Sequence, residues 1–183
     1  HFCATCDGPF YRDAEEVVVI GGGNSGFEEG LFLTQFADHV TVVEYSDDLA
    51  GSRLLQDKVR AHPKMSVRTA TEVTAFTADD DGRFAGARLR DRATGEEVDQ
   101  AAAGAFVFVG LDPNSGWLAD VVDTDERGFI TTDRTFETSL PGVFAAGDVR
   151  AGSTKQLASA VGEGAAAALQ MRHHLDAMAS ISA

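Results

Sequence analysis

Val17-Val18-Val19-Ile20-Gly21-Gly22-Gly23-Asn24-Ser25-Gly26 is a β-branched run that breaks directly into glycines. A short, continuously apolar run is what a strand buried on both faces of a parallel sheet requires, and the glycines that follow permit a tight turn. Over residues 25–36, Phe27, Leu31 and Phe36 recur at helical spacing, and Glu28 and Glu29 suit the positive end of a helix dipole. The run Val40–Val43 then reads as a second parallel strand and completes a β-α-β unit.

Outward from this unit, Arg53–Ala61 has helical character and Met65–Arg68 reads as a third strand. Residues 73–78, 85–91 and 97–99 read as a meander broken at Asp81-Gly82 and Thr94-Gly95, and 106–109 as a further apolar strand ending at Gly110. The turn-rich stretch 111–116 marks a break. Beyond it, 129–132 and 143–145 are expected strands and 157–175 an alanine-rich helix.

A chain of 183 residues, 44% hydrophobic, can bury a real core as one large domain or two small ones. Its net charge of −14 comes without any Lys/Arg run able to neutralise a row of phosphates, so nucleic acid is excluded as an expected partner. No apolar stretch approaches the roughly 18 to 20 residues that span a bilayer, and a cytoplasmic setting is expected. The sequence opens at His1 and its first methionine is Met65, so an upstream segment is expected.

Gly21, Gly23 and Gly26 fit G-x-G-x-x-G. In that pattern the first glycine makes the turn, the second lets backbone approach a pyrophosphate, and the third allows close helix packing. Asn24 and Ser25 open the helix on which the phosphates would sit. Glu44, at the end of the next strand, is placed to accept from a ribose hydroxyl, and its charge would repel a 2′-phosphate. NADH is therefore expected over NADPH, although Arg53 is near enough in sequence to supply a phosphate contact. A solvated strand-end carboxylate is the plain alternative for Glu44.

Cys3-Ala4-Thr5-Cys6 holds both cysteines of the chain, three residues apart, which suits a redox or metal site better than a secreted disulfide framework. The spacing allows a disulfide within one turn, and Asp7 could move the proton that thiol exchange requires or simply start a helix. Half a zinc site is the other reading of the pair, with only scattered histidines to complete it. A dithiol beside a nicotinamide site implies a flavin relay. Gly147-Asp148, after the expected strand at 143–145, offers a short acid for a sugar-alcohol hydroxyl, and the helix start at Gln156-Leu157 offers free N–H groups for an isoalloxazine edge. From these residues alone an ordinary strand, turn and capped helix is the favoured reading.

Taken together, Cys3-Ala4-Thr5-Cys6-Asp7-Gly8-Pro9, the Gly21–Gly26 turn, Leu55-Gln56-Asp57-Lys58-Val59-Arg60, Gly110 with Pro113-Asn114, Gly142-Val143-Phe144-Ala145-Ala146-Gly147-Asp148, and Lys155-Gln156 with Gly162-Glu163-Gly164 resemble the low-molecular-weight thioredoxin reductase family. Within it they are more similar to the flavoprotein component of alkyl hydroperoxide reductase. The resemblance implies an α/β fold: a Rossmann-like three-layer nucleotide-binding domain with a β-meander at 1–112, then the C-terminal part of a second, FAD-type Rossmann-like domain at 113–183. The first half of that FAD domain would lie outside this sequence. It also implies Cys6 facing the flavin, Cys3 exchanging with a partner disulfide, Asp7 as acid/base, Asp148 at the ribityl chain, Gln156 and Leu157 at the ring edge, rotation of one domain against the other, and a homodimer. Where NADPH-using members carry a basic His-Arg-Arg pattern, this chain has Glu44-Tyr45-Ser46, which agrees with NADH. The Cys-Ala-Thr-Cys spelling leaves the acceptor open between thioredoxin and a peroxiredoxin system. A nucleotide-binding module without turnover and a structural metal site are the competing readings.

Overall fold

In the computed structural model, which describes residues 1–181, Val17–Ile20 is strand β1, in the interior of a four-stranded parallel sheet. The sheet order is β3-β2-β1-β7, with β2 at Val40–Val43, β3 at Met65–Arg68 and β7 at Gly104–Val107. Val17 pairs with Val40 on one side and Gly104 on the other, and Ile20 with Val43 and Val107.

Strand periodicity of two then sorts the side chains into layers. Val17, Val19, Val40 and Val42 pack against Phe27, Leu33 and Val59 of helices α2 (Asn24–Leu33) and α3 (Arg53–Ala61). Val18 and Val43 point the other way, onto Ala87, Leu89 and Ala102. That opposite layer is a three-stranded antiparallel meander, β4 (Thr71–Ala78), β5 (Phe84–Asp91) and β6 (Glu97–Ala101). Phe27 and Leu33 are fully buried, each contributing about 1.5–3 kcal/mol of transfer free energy.

The N-terminal segment docks on this framework. A one-turn helix, α1 (Ala4–Asp7), packs on α2 and runs into a 3-10 turn at Gly8–Tyr11. His1 lies along the free edge of β7: its nitrogen donates to the Ala105 carbonyl at 2.9 Å and its carbonyl accepts from the Val107 N–H at 2.8 Å.

The chain divides into two compact units, His1–Gly110 and the residues from Leu111 on. The second has a small core of Val122, Ile130 and Ala145 and ends in helix α4 (Leu157–Ile181). Among the described residues no helix is long and apolar enough to cross a membrane.

Several elements depart from their expected bounds. Strand β7 stops at Val107, two residues short of the apolar run, because its ladder ends with β1. Beyond Ile20 the partner chain turns away at Gly21, and only one further bond, Phe108 N–H to the Ile20 carbonyl, is made. Helix α2 stops at Leu33, capped by Thr34, and Phe36 folds back so that its ring meets Phe32 at 5.4 Å. The expected strands at 129–132 and 143–145 are single bridges instead, Ile130 to Thr124 and Arg150, and Phe144 to Glu137. Left-handed backbone at Gly128, Phe136 and Gly142 turns the chain before a ladder can extend. Helix α4 runs past Leu175, the expected end, to Ile181.

Candidate functional site

A cleft of about 610 Å³ opens at the C-terminal ends of β1 and β2, the place where open parallel sheets hold their ligands. Gly21, Gly23, Asn24 and Ser25 line it, with Glu44, Tyr45 and Ala50 along one wall and Phe108, Val109 and Gly110 along another. The three glycines have different reasons to be glycine. Gly21 has φ 116°, and a Cβ there would lie 2.4 Å from the Phe108 carbonyl oxygen. A Cβ on Gly26 would lie 1.9 Å from the Gly21 carbonyl oxygen, so α2 can approach the turn this closely only without one. On Gly23 a Cβ would meet no atom of the protein within 4 Å, which leaves this position open towards the cleft.

Gly23 starts α2 without any side-chain cap, so the first turn presents N–H groups to the cleft. Asn24 is committed elsewhere: its Oδ1 accepts the Ser52 N–H at 2.7 Å and ties the helix start to the loop before α3. Glu44 is held at both oxygens, accepting from the Gly22 N–H at 2.6 Å and the Ser46 N–H at 2.8 Å. Each carboxylate oxygen keeps a free lone pair. The carboxylate is thus fixed beside the glycine turn and can still accept from a vicinal diol. Arg53 does not line this cleft but a separate acidic depression with Asp47, Asp48 and Asp57.

Cys3 and Cys6 form a disulfide with Cα atoms 5.4 Å apart. Cys3 is the N-cap of α1, its sulfur accepting the Cys6 N–H at 3.2 Å. The next free donor of that turn, the Ala4 N–H, goes to Glu29 Oε2 of α2 at 2.9 Å, which anchors the disulfide to the nucleotide-side helix. Cys6 is exposed and Cys3 half-buried. Among the described residues no group of three or more His, Cys, Asp or Glu side chains converges as a metal site would need.

Asp7 has partners that its local sequence does not announce. Its Oδ2 lies 2.8 Å from His1 Nδ1, and His1 Nε2 lies 2.5 Å from the Tyr11 hydroxyl. Burial first, and the Asp7 carboxylate second, push the Tyr11 phenol above its ordinary range, so the hydroxyl keeps its proton. If that hydroxyl donates to Nε2, the imidazole proton is on Nδ1 and donates to Asp7. His1 is itself stacked on Phe106 of β7 at 5.1 Å. The cue available beforehand was the aromatic and acidic density around Cys3-x-x-Cys6, but nothing in spacing pairs residues 1, 7 and 11.

In the second unit Asp148 is exposed on a 3-10 turn, Gly147–Val149, that begins with left-handed Gly147 (φ 77°). The turn is pinned by Glu163 of α4, which accepts the Gly147 N–H at 2.9 Å and holds Arg150 through Nε at 3.0 Å and Nη2 at 2.8 Å. Hydrogen bonding from Arg150 keeps the Glu163 carboxyl below the usual carboxylate range. Glu163 and Arg150 were not among the expected site residues. Their only signal is a carboxylate between two glycines in an otherwise alanine-rich helix. Gln156 and Leu157 are exposed at the start of α4. The acceptor at Asp148 and the N–H groups of this helix start suit part of a flavin: ribityl hydroxyls and an electron-rich ring edge.

The sequence pattern described as pyridine nucleotide-disulphide oxidoreductase matches residues 1–164. The chain is 42% identical over 168 residues to the F component of alkyl hydroperoxide reductase of Staphylococcus aureus (strain Mu50 / ATCC 700699), covering 92% of this chain and 32% of that protein. To thioredoxin reductase of Mycolicibacterium smegmatis it is 41% identical over 174 residues, or 94% of this chain and 55% of that one. Its backbone superposes on the crystal structure of thioredoxin reductase from Streptococcus pyogenes MGAS5005 with a TM-score of 0.85 at 39% identity, covering 96% and 57% of the two chains. The chain thus spans about a third to just over half the length of these relatives.

Proposed function

Because this chain belongs to the pyridine nucleotide-disulphide oxidoreductase family, we propose that it works in an NADH- and FAD-dependent disulfide reductase of the thioredoxin reductase or alkyl hydroperoxide reductase F kind. Residues 1–112 would serve as the pyridine-nucleotide domain and 113–183 as the C-terminal part of the FAD domain. The acceptor would be a thioredoxin-like or peroxiredoxin disulfide protein in the cytoplasm, and the working form a homodimer.

The observation that carries this reading is the path of the chain at β7. Val107, the last residue of β7, is hydrogen-bonded to His1, two residues before Cys3, and the next residue, Phe108, lines the nucleotide cleft. The backbone that holds the N-terminal segment of the disulfide turn therefore runs directly into the cleft wall.

The net reaction is NADH plus a proton plus the Cys3–Cys6 disulfide giving NAD⁺ and two thiols. FAD, when bound, supplies the two-electron relay that direct hydride-to-disulfide transfer lacks. The chain's own residues do the rest. The open backbone at Gly23 and the uncapped first turn of α2 hold the pyrophosphate, and Glu44 accepts from the adenosine ribose diol and opposes a 2′-phosphate. Asp148 would accept from a ribityl hydroxyl, and the start of α4, with Gln156 and Leu157, would hold the ring edge. When the disulfide opens, Asp7 moves a proton at the sulfur, held in place by His1 Nδ1. Cys3 Sγ then attacks one sulfur of the acceptor disulfide, and Cys6 Sγ resolves the mixed disulfide, releasing the acceptor as a dithiol.

Anaerobic titration with NADH and NADPH in the presence of FAD, recording the flavin spectrum and free thiols, tests this reading. Bleaching with about two new thiols per chain, faster with NADH, is expected. Retained FAD and bound nucleotide without thiol formation would leave a binding module and overturn the reductase reading.

A further inference from the structure

The turn that carries the disulfide rests on helix α2 at two points, and both belong to one ridge of that helix. Glu29 and Leu33 are spaced i, i+4 and so share a face of α2. Glu29 Oε2 accepts the Ala4 N–H at 2.9 Å, at the peptide nitrogen that joins Ala4 to Cys3. At the far end of α1, Gly8 lies so close to α2 that a Cβ there would come within 3.2 Å of the Leu33 side chain and the Phe36 ring.

Ala4 is fully buried in the cluster that contains Phe27, Leu33 and Ala37. As the first residue of α1 it has no acceptor within its own helix for its N–H. The Thr5 N–H belongs to an exposed residue, and the Cys6 N–H donates to Cys3 Sγ at 3.2 Å. Glu29 therefore takes the one donor at this helix start that is both shut away from water and without another acceptor. Left unpaired, such a donor destabilises the arrangement that buries it. The same carboxylate also sets a negative charge beside the positive end of α1, where Cys3 stands as N-cap and a thiolate would otherwise be favoured.

We propose that Glu29 is a positioning residue of the redox pair: it holds the Cys3–Cys6 turn in the geometry that closes the disulfide, and its charge restrains ionisation of the Cys3 thiol once the disulfide is open. The inference rests on the redox reading of the pair and needs neither nucleotide nor flavin. The other titratable groups around the turn are Asp7 on α1, His1 and Tyr11 that hold it, Arg12 just past the 3-10 turn, and Glu28 beside Glu29 on α2. All are kept in the variants below, so a difference between proteins reports Glu29.

Two conservative substitutions separate reach from charge: Glu29→Asp keeps the charge on a side chain one methylene shorter, and Glu29→Gln keeps an acceptor oxygen at full length without the charge. Equilibration with reduced and oxidised dithiothreitol at about pH 6, where few thiols are ionised, reads disulfide closure. In this exchange the Cys3–Cys6 bond breaks and each sulfur gains one electron and one proton, all supplied by dithiothreitol as it closes to its cyclic disulfide. Glu29→Asp is expected to shift the equilibrium about tenfold towards the dithiol, and Glu29→Gln to stay within about twofold of the parent. Alkylation of the reduced proteins by iodoacetamide across pH, with mass spectrometry to tell Cys3 from Cys6, reads ionisation. The Cys3 profile should stay in place in Glu29→Asp and move to lower pH in Glu29→Gln. About tenfold more thiolate at neutral pH, offset by its lower nucleophilicity, should give about threefold faster alkylation in that variant. An unaltered closing equilibrium in Glu29→Asp, an equal shift of that equilibrium in Glu29→Gln, or an unaltered Cys3 profile in Glu29→Gln would each overturn the proposal. Failure of the unsubstituted protein to pass reversibly between disulfide and dithiol would overturn the redox reading of the pair and this proposal with it.

Discussion

Replacing Gly23 and Gly26 separately by alanine should split stability from nucleotide binding. At Gly23 the backbone (φ −84°, ψ −177°) is open to any residue, and the added methyl group meets no protein atom within 4 Å. Removing a glycine from the unfolded chain gains about 0.4–1 kcal/mol, while alanine is a poorer N-cap than glycine by about 0.5–1 kcal/mol. The two effects offset each other, and Gly23→Ala is expected to unfold within about 0.5 kcal/mol of the unsubstituted protein. The same methyl group stands where a pyrophosphate must touch backbone, and NADH affinity should fall at least tenfold, about 1.4 kcal/mol. At Gly26 the methyl carbon lies 1.9 Å from the Gly21 carbonyl oxygen, and that residue is fixed by its own N–H bond to Val43 at 2.8 Å. No side chain can give way, so the helix must shift, at a cost of about 1–3 kcal/mol or more. Urea unfolding and NADH titration of both variants measure the two effects. A Gly23→Ala protein that binds NADH with unchanged affinity would refute the argument, because the pyrophosphate would then not rest on this backbone.

Four further substitutions probe three separate links. Glu44→Gln removes the charge that opposes a 2′-phosphate while keeping one acceptor, and the NADH-to-NADPH affinity ratio should fall about tenfold; an unchanged ratio in paired titrations would mean that Glu44 only braces the Gly22 and Ser46 N–H groups. His1→Ala should slow thiol–disulfide exchange about tenfold and Tyr11→Phe less, with NADH affinity unaltered, because both act on Asp7 and neither lines the cleft. Stopped-flow thiol release measures this, and equal rates in all three proteins would discard the His1–Asp7–Tyr11 chain. Glu163→Gln should cost about 1–2 kcal/mol at neutral pH, since it breaks a two-pronged pair with Arg150. The Glu163 carboxyl is depressed in the folded protein and the Arg150 guanidinium is raised, so the pair's stabilisation is complete above the unfolded carboxyl value of about 4.3 and is lost as pH falls through the folded one. The variant's unfolding free energy should therefore fall less steeply than the parent's below about pH 4, and parallel curves would contradict the pairing.

Much of the first unit was legible because its signals are local. Four β-branched residues followed by glycines specify a buried strand and a turn wherever they occur, and β1, β2, β3 and α3 have the bounds expected of them. Gly26 is required by a backbone contact a few residues away, with the Gly21 carbonyl, so spacing alone encodes it, whereas the Phe108 carbonyl that excludes a Cβ from Gly21 is brought there only by the fold. The ends of elements were less legible. An apolar run at 106–109 reads as strand throughout, yet pairing decides where a strand stops, and β1 offers no partner past Ile20. At 129–132 and 143–145 apolar, β-branched residues were present without neighbours to extend a ladder, and single bridges resulted.

The amino-acid sequence by itself determined the strands and helices of the first unit to within a few residues, where the glycine turn falls, and that two thiols lie within one helical turn of each other, because each depends on interactions within a few residues. Only the tertiary structure decided that Glu29 anchors the disulfide turn, that His1 and Tyr11 hold Asp7, and that Glu163 pins the turn bearing Asp148. These are contacts between hydrogen-bonding and charged side chains. Such groups can find many partners of equal chemistry along a chain, and the packing of the layers selects one by bringing it within about 3 Å.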